Sequence, residues 1–292
     1  MTAEQLTPDK VMNGWFSETS DIWPGIAVSI EIEKILFSKK SNYQQIDLYE
    51  TRHHGRMLVL DGIIQLTDFD EFAYQEMLGH IPMFAHPLPE KVLVIGGGDG
   101  GILREVAKHE TVSSIDLCEI DEQVIRVSKE FLPGMCIGFD DPRVTVHISD
   151  GSEFIRRHTS EYDVIIVDSS DPVGPGEILF EKEFYEHCKR ALRKNGLMAV
   201  QGESFFLHPD KVQKIVKNMR GLFRHQGYAY SLIPTFTGGH VGICIGSDGP
   251  DPSKPVRAIS KQFQAGLKYY NPKIHKASFV LPGFAEKLIK DA

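Results

Sequence analysis

Cysteine is scarce in this chain. Cys118, Cys136, Cys188 and Cys244 are the only four among 292 residues, and they are far apart. A disulfide framework needs dense cysteines in a small domain, so reduced thiols in a cytoplasmic protein are expected. There is no CxxC pair, and no histidine stands at ligand spacing, so no metal site is expected. His53, His54 and His208 are read as surface or packing residues. The opening stretch, MTAEQLTPDK, lacks the basic region and apolar core of a secretion signal. No apolar run approaches the roughly 18 residues of a membrane span. The final Ile-Lys-Asp-Ala carries no lipidation or retrieval signal. An excess of basic charge is also missing. Lys plus Arg is 32 and Asp plus Glu is 40, a net charge of −8. Such a surface repels nucleic acid and anionic membranes, so neither is expected as a partner. It suits a cationic ligand, although solubility alone would account for it. Repeats and low-complexity segments are absent. What is present, 41% hydrophobic and 25% charged residues, is enough for a sizeable core in one large domain or two.

The first part of the chain reads as β-structure. Residues 26–30, 31–37 and 43–49 alternate apolar and polar side chains, as half-buried strands do. Residues 56–60 and 63–66 flank Asp61-Gly62, a hairpin signal. A small antiparallel sheet is therefore expected. A helix is expected over 69–81, stopping at Pro82, and Pro87 and Pro89 mark a linker. From Lys91 onward strands and helices alternate. Strands are expected at 92–95, 114–119, 144–149, 162–167, 196–200, 228–233 and 241–245. Helices are expected at 102–109, 122–131, 152–158 and 182–194, and Lys211, Lys214 and Lys217 recur on a solvated helix face. This rhythm predicts an α/β fold, a mainly parallel sheet with helices on both faces. The expected division is an N-terminal β domain over 1–68 and a Rossmann-like catalytic domain over 69–292.

The strongest local signal is Gly96-Gly97-Gly98-Asp99-Gly100-Gly101, which follows a strand and opens a helix. Glycines there allow a tight turn and close approach to a ligand. Glu119 follows Asp99 by twenty residues, where such folds place a carboxylate on ribose hydroxyls. Helix capping is the structural alternative for either acid alone. Asp150 and Asp168 end the next two strands, and Asp171 follows closely. Four successive strands thus deliver acids to one rim. Two like charges at about 4 Å cost about 4 kcal/mol at an effective dielectric near 20. A cation, or a dense set of donors, must offset that. Pyrophosphate would fit poorly, and an adenosine with a positively charged tail would fit well. Asp99 sits where a methyltransferase meets the carboxylate of S-adenosylmethionine, so an acid there favours the decarboxylated form. A methyltransferase using intact S-adenosylmethionine is the rival reading that Asp99 opposes.

At this point the sequence resembles the spermidine synthase family of aminopropyltransferases. The matching stretches include Gly14-Trp-Phe, Trp23-Pro-Gly, Ser41-Asn-Tyr-Gln44, Val59-Leu-Asp-Gly62 and Asp70-Glu-Phe-Ala-Tyr-Gln-Glu76. Further matches are Val94 to Gly101, Cys118-Glu-Ile-Asp121, Asp168-Ser-Ser-Asp-Pro172 and Phe279-Val-Leu-Pro282. They run from about residue 14 to 283. The resemblance implies a methyltransferase-like Rossmann domain behind a small β domain, a homodimer or larger assembly, and no metal or prosthetic group. It implies putrescine and decarboxylated S-adenosylmethionine as substrates. It also implies that Gln44, Gln75, Gly96, Gly98, Glu119, Asp150 and Gly151 hold the adenosyl part. Glu119 would take the ribose, Asp150 the adenine and Asp99 the aminopropyl amine. Trp23, Tyr74, Asp168, Ser169, Ser170, Asp171, Glu203 and Phe236 would handle the diamine, with Asp168 as base, Tyr74 orienting the nitrogen and Glu203 near the far amine. One departure stands out: the family has tyrosine in a Pro-Thr-Tyr segment where this chain reads Pro234-Thr235-Phe236. The aromatic wall is kept and the hydroxyl is lost. The Pro- and Gly-rich segment 171–177 reads as a lid over both substrates, with an ordinary connecting loop as the alternative.

Overall fold

The protein is described by a computed structural model covering residues 11–169 and 174–292. Strands β1 (Val11–Met12), β2 (Trp15–Thr19), β3 (Ala27–Lys40), β4 (Gln45–Thr51), β5 (Arg56–Leu60) and β6 (Ile63–Thr67) pair antiparallel in chain order. The stretches expected as separate strands over 26–37 form the single strand β3, which reaches its length through two register shifts against β4. Asp61 (φ 48°) and Gly62 (φ 77°) are both left-handed, as a tight two-residue hairpin requires. Met57 and Val59 face a core with Phe16, Ile30, Tyr49 and Ile64. Leu58, between them, points the other way onto Val124 and Val127. Both faces of this hairpin are therefore covered, and it is fixed to the rest of the molecule.

The second sheet contains β7 (Lys91–Gly96), β8 (Ser114–Glu119), β9 (Val144–Ile148), β10 (Tyr162–Asp168), β11 (Leu192–Glu203), β12 (His225–Leu232) and β13 (His240–Ser247). Its order is β12-β13-β11-β10-β7-β8-β9. Strand β13 runs antiparallel to both neighbours, and β7 to β11 are parallel. This is the expected α/β arrangement, methyltransferase-like. Successive β10 side chains serve opposite faces: Val164 and Ile166 pack in one core, Ile165 and Val167 in the other. Both faces are buried, which is why these strands read as continuous apolar runs. Strand order reverses between β7 and β10, and ligands bind at such a crevice.

Helices α1 (Glu71–Ala85), α2 (Gly101–Ala107), α3 (Glu122–Phe131), α4 (Gly151–Ile155), α5 (Lys182–Ala191) and α6 (Pro209–Met219) follow. Two expectations need correction. Helix α1 does not stop at Pro82 but continues to Ala85. Residues 77–85 are buried throughout, and that packing outweighs the one missing N–H. Strand β11 begins at Leu192, inside the expected helix, because Leu192 pairs with Tyr162 at the start of β10. Helices α7 (Lys261–Ala265), α8 (Pro272–Ala277) and α9 (Gly283–Asp291) complete the fold. All four cysteines are buried and free. Among the described residues no helix is long and apolar enough to cross a membrane.

Candidate active site

A cavity of about 510 Å³ opens beyond the carboxyl ends of β7, β8 and β10. The β5–β6 hairpin covers one side with Leu58, Leu60 and Ile63 to Leu66, and α1 and residues 233–236 close another. The cavity thus lies between the two sheets.

The glycine loop forms its floor. Gly96 has φ 78°, and a Cβ there would come within 2.0 Å of the Asp168 carbonyl oxygen. The Gly97 N–H donates to that same carbonyl at 3.0 Å. The loop is therefore tied to the end of β10, which fixes Asp168 beside it. Gly98 leaves room for Glu119, whose Oε2 accepts the Gly98 N–H at 3.2 Å. Glu119 Oε1 accepts the Asp121 N–H at 2.8 Å. Burial pushes the Glu119 carboxyl up to about 7. Asp99 Oδ1 accepts the Gly101 N–H at 2.7 Å, and Gln75 Nε2 lies 3.4 Å from the same oxygen. Burial raises the Asp99 carboxyl above its ordinary range, and nearby Glu71 adds to this. Glu71 is itself held by a two-pronged bond from Arg104, at 3.0 and 2.7 Å. Asp150 caps α4, with Oδ1 accepting the Ser152 and Glu153 N–H groups.

Asp168 is the centre of the arrangement. Its Oδ1 accepts a hydrogen bond from the Tyr74 hydroxyl at 2.6 Å. Its Oδ2 is buried without a hydrogen-bond partner among the described residues. Burial raises the Asp168 carboxyl strongly, and the charges of Asp99 and Glu119 push the same way, against the Tyr74 bond. Gln75 Oε1 and Gln201 Oε1 are likewise buried and unpartnered among the described residues. All three of these cavity atoms are acceptors. Buried acceptors without donors are costly, so the arrangement is completed by a guest rich in N–H groups.

The surrounding walls are anchored by acids that bond to neighbouring elements. Asp70 accepts from Thr67 Oγ1, Thr235 Oγ1 and the Thr235 N–H, fixing the 233–236 segment to the start of α1. Asp121 Oδ2 accepts from Ser41 Oγ at 2.6 Å and Gln44 Nε2 at 3.0 Å. That bond draws Gln44 from the N-terminal sheet onto the cavity wall.

Of the residues expected from sequence, Gln44, Tyr74, Gln75, Gly96, Gly98, Asp99, Glu119, Asp150, Gly151, Asp168, Ser169 and Phe236 line the cavity together. Trp23 and Glu203 stand behind the lining. Trp23 packs edge-on against Phe236 at 6.2 Å, and Glu203 is fully buried against His208. Ser170 and Asp171 lie outside the described residues, as does the start of the expected lid. Residues 174–180 form a short 3-10 helix. Sequence reasoning missed Gln201 and Glu71 in the lining and Asp121 behind it. Glu71 and Asp121 belong to the quoted motifs, while Gln201 sits near the end of a buried strand without a local signal. Among the described residues, no group of three or more His, Cys, Asp or Glu side chains could hold a metal ion.

Comparison with known proteins joins these features. Residues 71–254 match the spermine/spermidine synthase domain, and residues 14–68 match the spermidine synthase tetramerisation domain. The chain belongs to the spermine/spermidine synthase family. It is 51% identical to the spermidine synthase of Dictyostelium discoideum, over 96% of this chain and 98% of that one. It is 48% identical to spermidine synthase 1 of Hyoscyamus niger, over 96% and 92%. A crystal structure of a spermidine synthase in complex with the transition state analogue AdoDATO superposes with a TM-score of 0.90. It shares 36% identity and covers 97% of both chains. The spermidine synthase of Thermotoga maritima superposes with a TM-score of 0.86 at 35% identity. Membership makes this chain an enzyme, a transferase of the aminopropyltransferase kind.

Proposed function

We propose that the enzyme transfers the aminopropyl group of decarboxylated S-adenosylmethionine to putrescine, giving spermidine and methylthioadenosine. The observation that carries this reading is the set of buried acceptors on Asp168, Gln75 and Gln201, unpartnered among the described residues, beside Asp99 and Glu119 in one cavity. Such a set asks for ammonium groups. Glu119, Gln44, Asp150 and the glycine loop take the adenosine, and Asp99 takes the aminopropyl ammonium. The four-carbon stem of the diamine lies along Ile233 and Phe236.

The chemistry follows from the charge state of the guest. An alkylamine with pKa near 10.4 is neutral in about one molecule per thousand at pH 7.4. Asp168 draws the ammonium in, and Tyr74 helps hold it. A proton passes to Asp168 Oδ2, and the freed lone pair attacks the methylene carbon next to the sulfonium. The new C–N bond forms as the C–S bond breaks, and the sulfur leaves with the electron pair as a neutral thioether. No acid is needed for that leaving group. Holding the amine in line supplies much of the acceleration. The raised Asp168 pKa suits it to accept a proton. Phe236 offers apolar packing where the family has a hydroxyl, so Tyr74 carries the orienting hydrogen bond, and acceptor length is read less strictly.

For assembly we infer a homodimer, with residues 1–68 as an assembly domain and 69–292 as the catalytic domain. Met12, Trp15 and Ile35 are exposed on the N-terminal sheet, as an interface would need. The deciding experiment is mass spectrometry of products from a diamine series with each form of the sulfonium donor. Spermidine and methylthioadenosine from putrescine and the decarboxylated donor are expected. A methylated diamine would overturn the reading.

A further inference from the structure

We propose that His208 is a positioning residue. With Glu203 it forms a buried clasp that holds the turn around Ile22 and Trp23 against the amine end of the cavity. What the clasp does for the diamine rests on the function proposed above; the clasp itself does not.

The bonding fixes the proton positions. His208 Nε2 lies 3.0 Å from the Ile22 carbonyl oxygen. A carbonyl only accepts, so Nε2 carries a proton. Nδ1 lies 2.7 Å from Glu203 Oε2, and a second proton must sit between them. Burial works against a charged ring here, but the Glu203 carboxylate and the Ile22 carbonyl together raise the His208 pKa above its ordinary value. Lys211, one turn along α6, opposes them weakly. The nearby His240 is engaged elsewhere, with Ser204 Oγ and the Gly238 carbonyl. Both ring nitrogens of His208 thus face acceptors, the arrangement that a doubly protonated ring satisfies.

Its two ends differ in what they hold. Glu203 ends β11 in a left-handed conformation (φ 58°) that a non-glycine side chain adopts only when its surroundings impose it. The Tyr228 hydroxyl donates to the Glu203 carbonyl at 2.7 Å and fixes that backbone. At the other end the turn has short-range backbone bonds, including the Ile26 N–H to the Trp23 carbonyl at 3.2 Å. Ser20 Oγ accepts the Ile22 N–H at 3.1 Å, and the Ser20 carbonyl accepts the Trp23 N–H at 3.3 Å. Ser20, Asp21 and Ile22 line the cavity. Trp23 packs with its ring 5.7 Å from His208 and 6.2 Å from Phe236. An ion pair buried to this degree is a weak stabiliser compared with apolar packing. Its geometry, however, joins a rigid strand end, through His208, to a cavity-lining turn 186 residues before that histidine.

The test uses the enzyme's two tryptophans, Trp15 and Trp23. In a Trp15→Phe background Trp23 is the sole emitter, and a protonated imidazole beside an indole quenches it. Titrating emission from about pH 5 to 9 without substrate should show one step, above the ordinary histidine pKa of about 6.5. That step should vanish in His208→Gln. A step that persists in His208→Gln overturns the clasp, whatever the substrate proves to be. Steady-state kinetics then test its role. His208→Leu should raise KM for the diamine about tenfold, with kcat and the donor KM within about twofold. His208→Gln, whose amide N–H can still reach the Ile22 carbonyl, should recover most of that loss, and it carries the test alone if the leucine variant does not fold. Loss of kcat at unchanged diamine KM, or equal losses for donor and diamine, would overturn the positioning role.

Discussion

The two ends of the cavity are built on opposite principles. At the nucleoside end, Glu119 accepts two backbone N–H groups, Asp150 accepts two more, and Gln44 is drawn into place by Asp121. At the end proposed to take the amine, Asp168 Oδ2 and Gln201 Oε1 are buried without partners among the described residues, as is Gln75 Oε1 beside Asp99. The first end is satisfied before any ligand arrives, and the second is satisfied only by one. A rigid end can orient the sulfonium donor with little reorganisation. On the proposed function, an end short of donors would spend its unsatisfied acceptors on attracting and deprotonating an ammonium. On that reading, the contrast places binding energy at one end and reactivity at the other.

The sharpest way to break that contrast is Asp168→Asn. The amide keeps the shape and can still accept from Tyr74, but it cannot take the proton. Turnover should fall by about 10²–10⁴. Donor affinity, measured by calorimetry, should be nearly unchanged, because the nucleoside contacts lie elsewhere. An Asn variant with full turnover would remove Asp168 from the role of base.

How much of this was legible in the sequence depended on the range of each interaction. The acids at strand ends could be read because a glycine loop and an alternating strand–helix pattern are local signals. The α1 continuation through Pro82 could not, since it rests on burial against the sheet. Asp121 holding Gln44 and Arg104 holding Glu71 join residues 77 and 33 positions apart, and no spacing rule announces such pairs. His208 read as a packing residue for the same reason: its partners are the end of β11 and a turn near the start of the described chain. The helices after residue 260 were within reach. Ser260 and Asn271 cap α7 and α8, and Pro272 opens α8.

Asp99 lies between the two ends and tests where one gives way to the other. In the proposed function its carboxylate faces the tail of the donor, so a donor carrying its own carboxylate would be repelled. Asp99→Asn should relax the preference for the decarboxylated donor by about tenfold, near 1.4 kcal/mol, read as the ratio of the two donor affinities. An unchanged ratio would show that shape, and not charge, selects the donor.

The smallest effect is on stability, and its sign should differ between the ends. Asp168 has a folded pKa above its unfolded value, so ionising it is harder in the native state. Below about pH 4 the group is protonated in both states and contributes no penalty. As pH rises toward the folded pKa, the native state loses stability to this group. Every tenfold difference in proton affinity between the folded and unfolded chain is worth about 1.4 kcal/mol. Without substrate, Asp168→Asn should therefore melt several degrees above the parent near pH 8, with the gain shrinking toward pH 4. Near pH 4, where its own raised carboxyl carries no ionisation penalty, Glu119→Leu should do the reverse and lower the melting temperature, because it strands the buried N–H groups of Gly98 and Asp121, at about 1–3 kcal/mol each. Adding a diamine should erase the first difference, since an ammonium restores the charge balance at Asp168 in the parent alone. It should leave the second untouched.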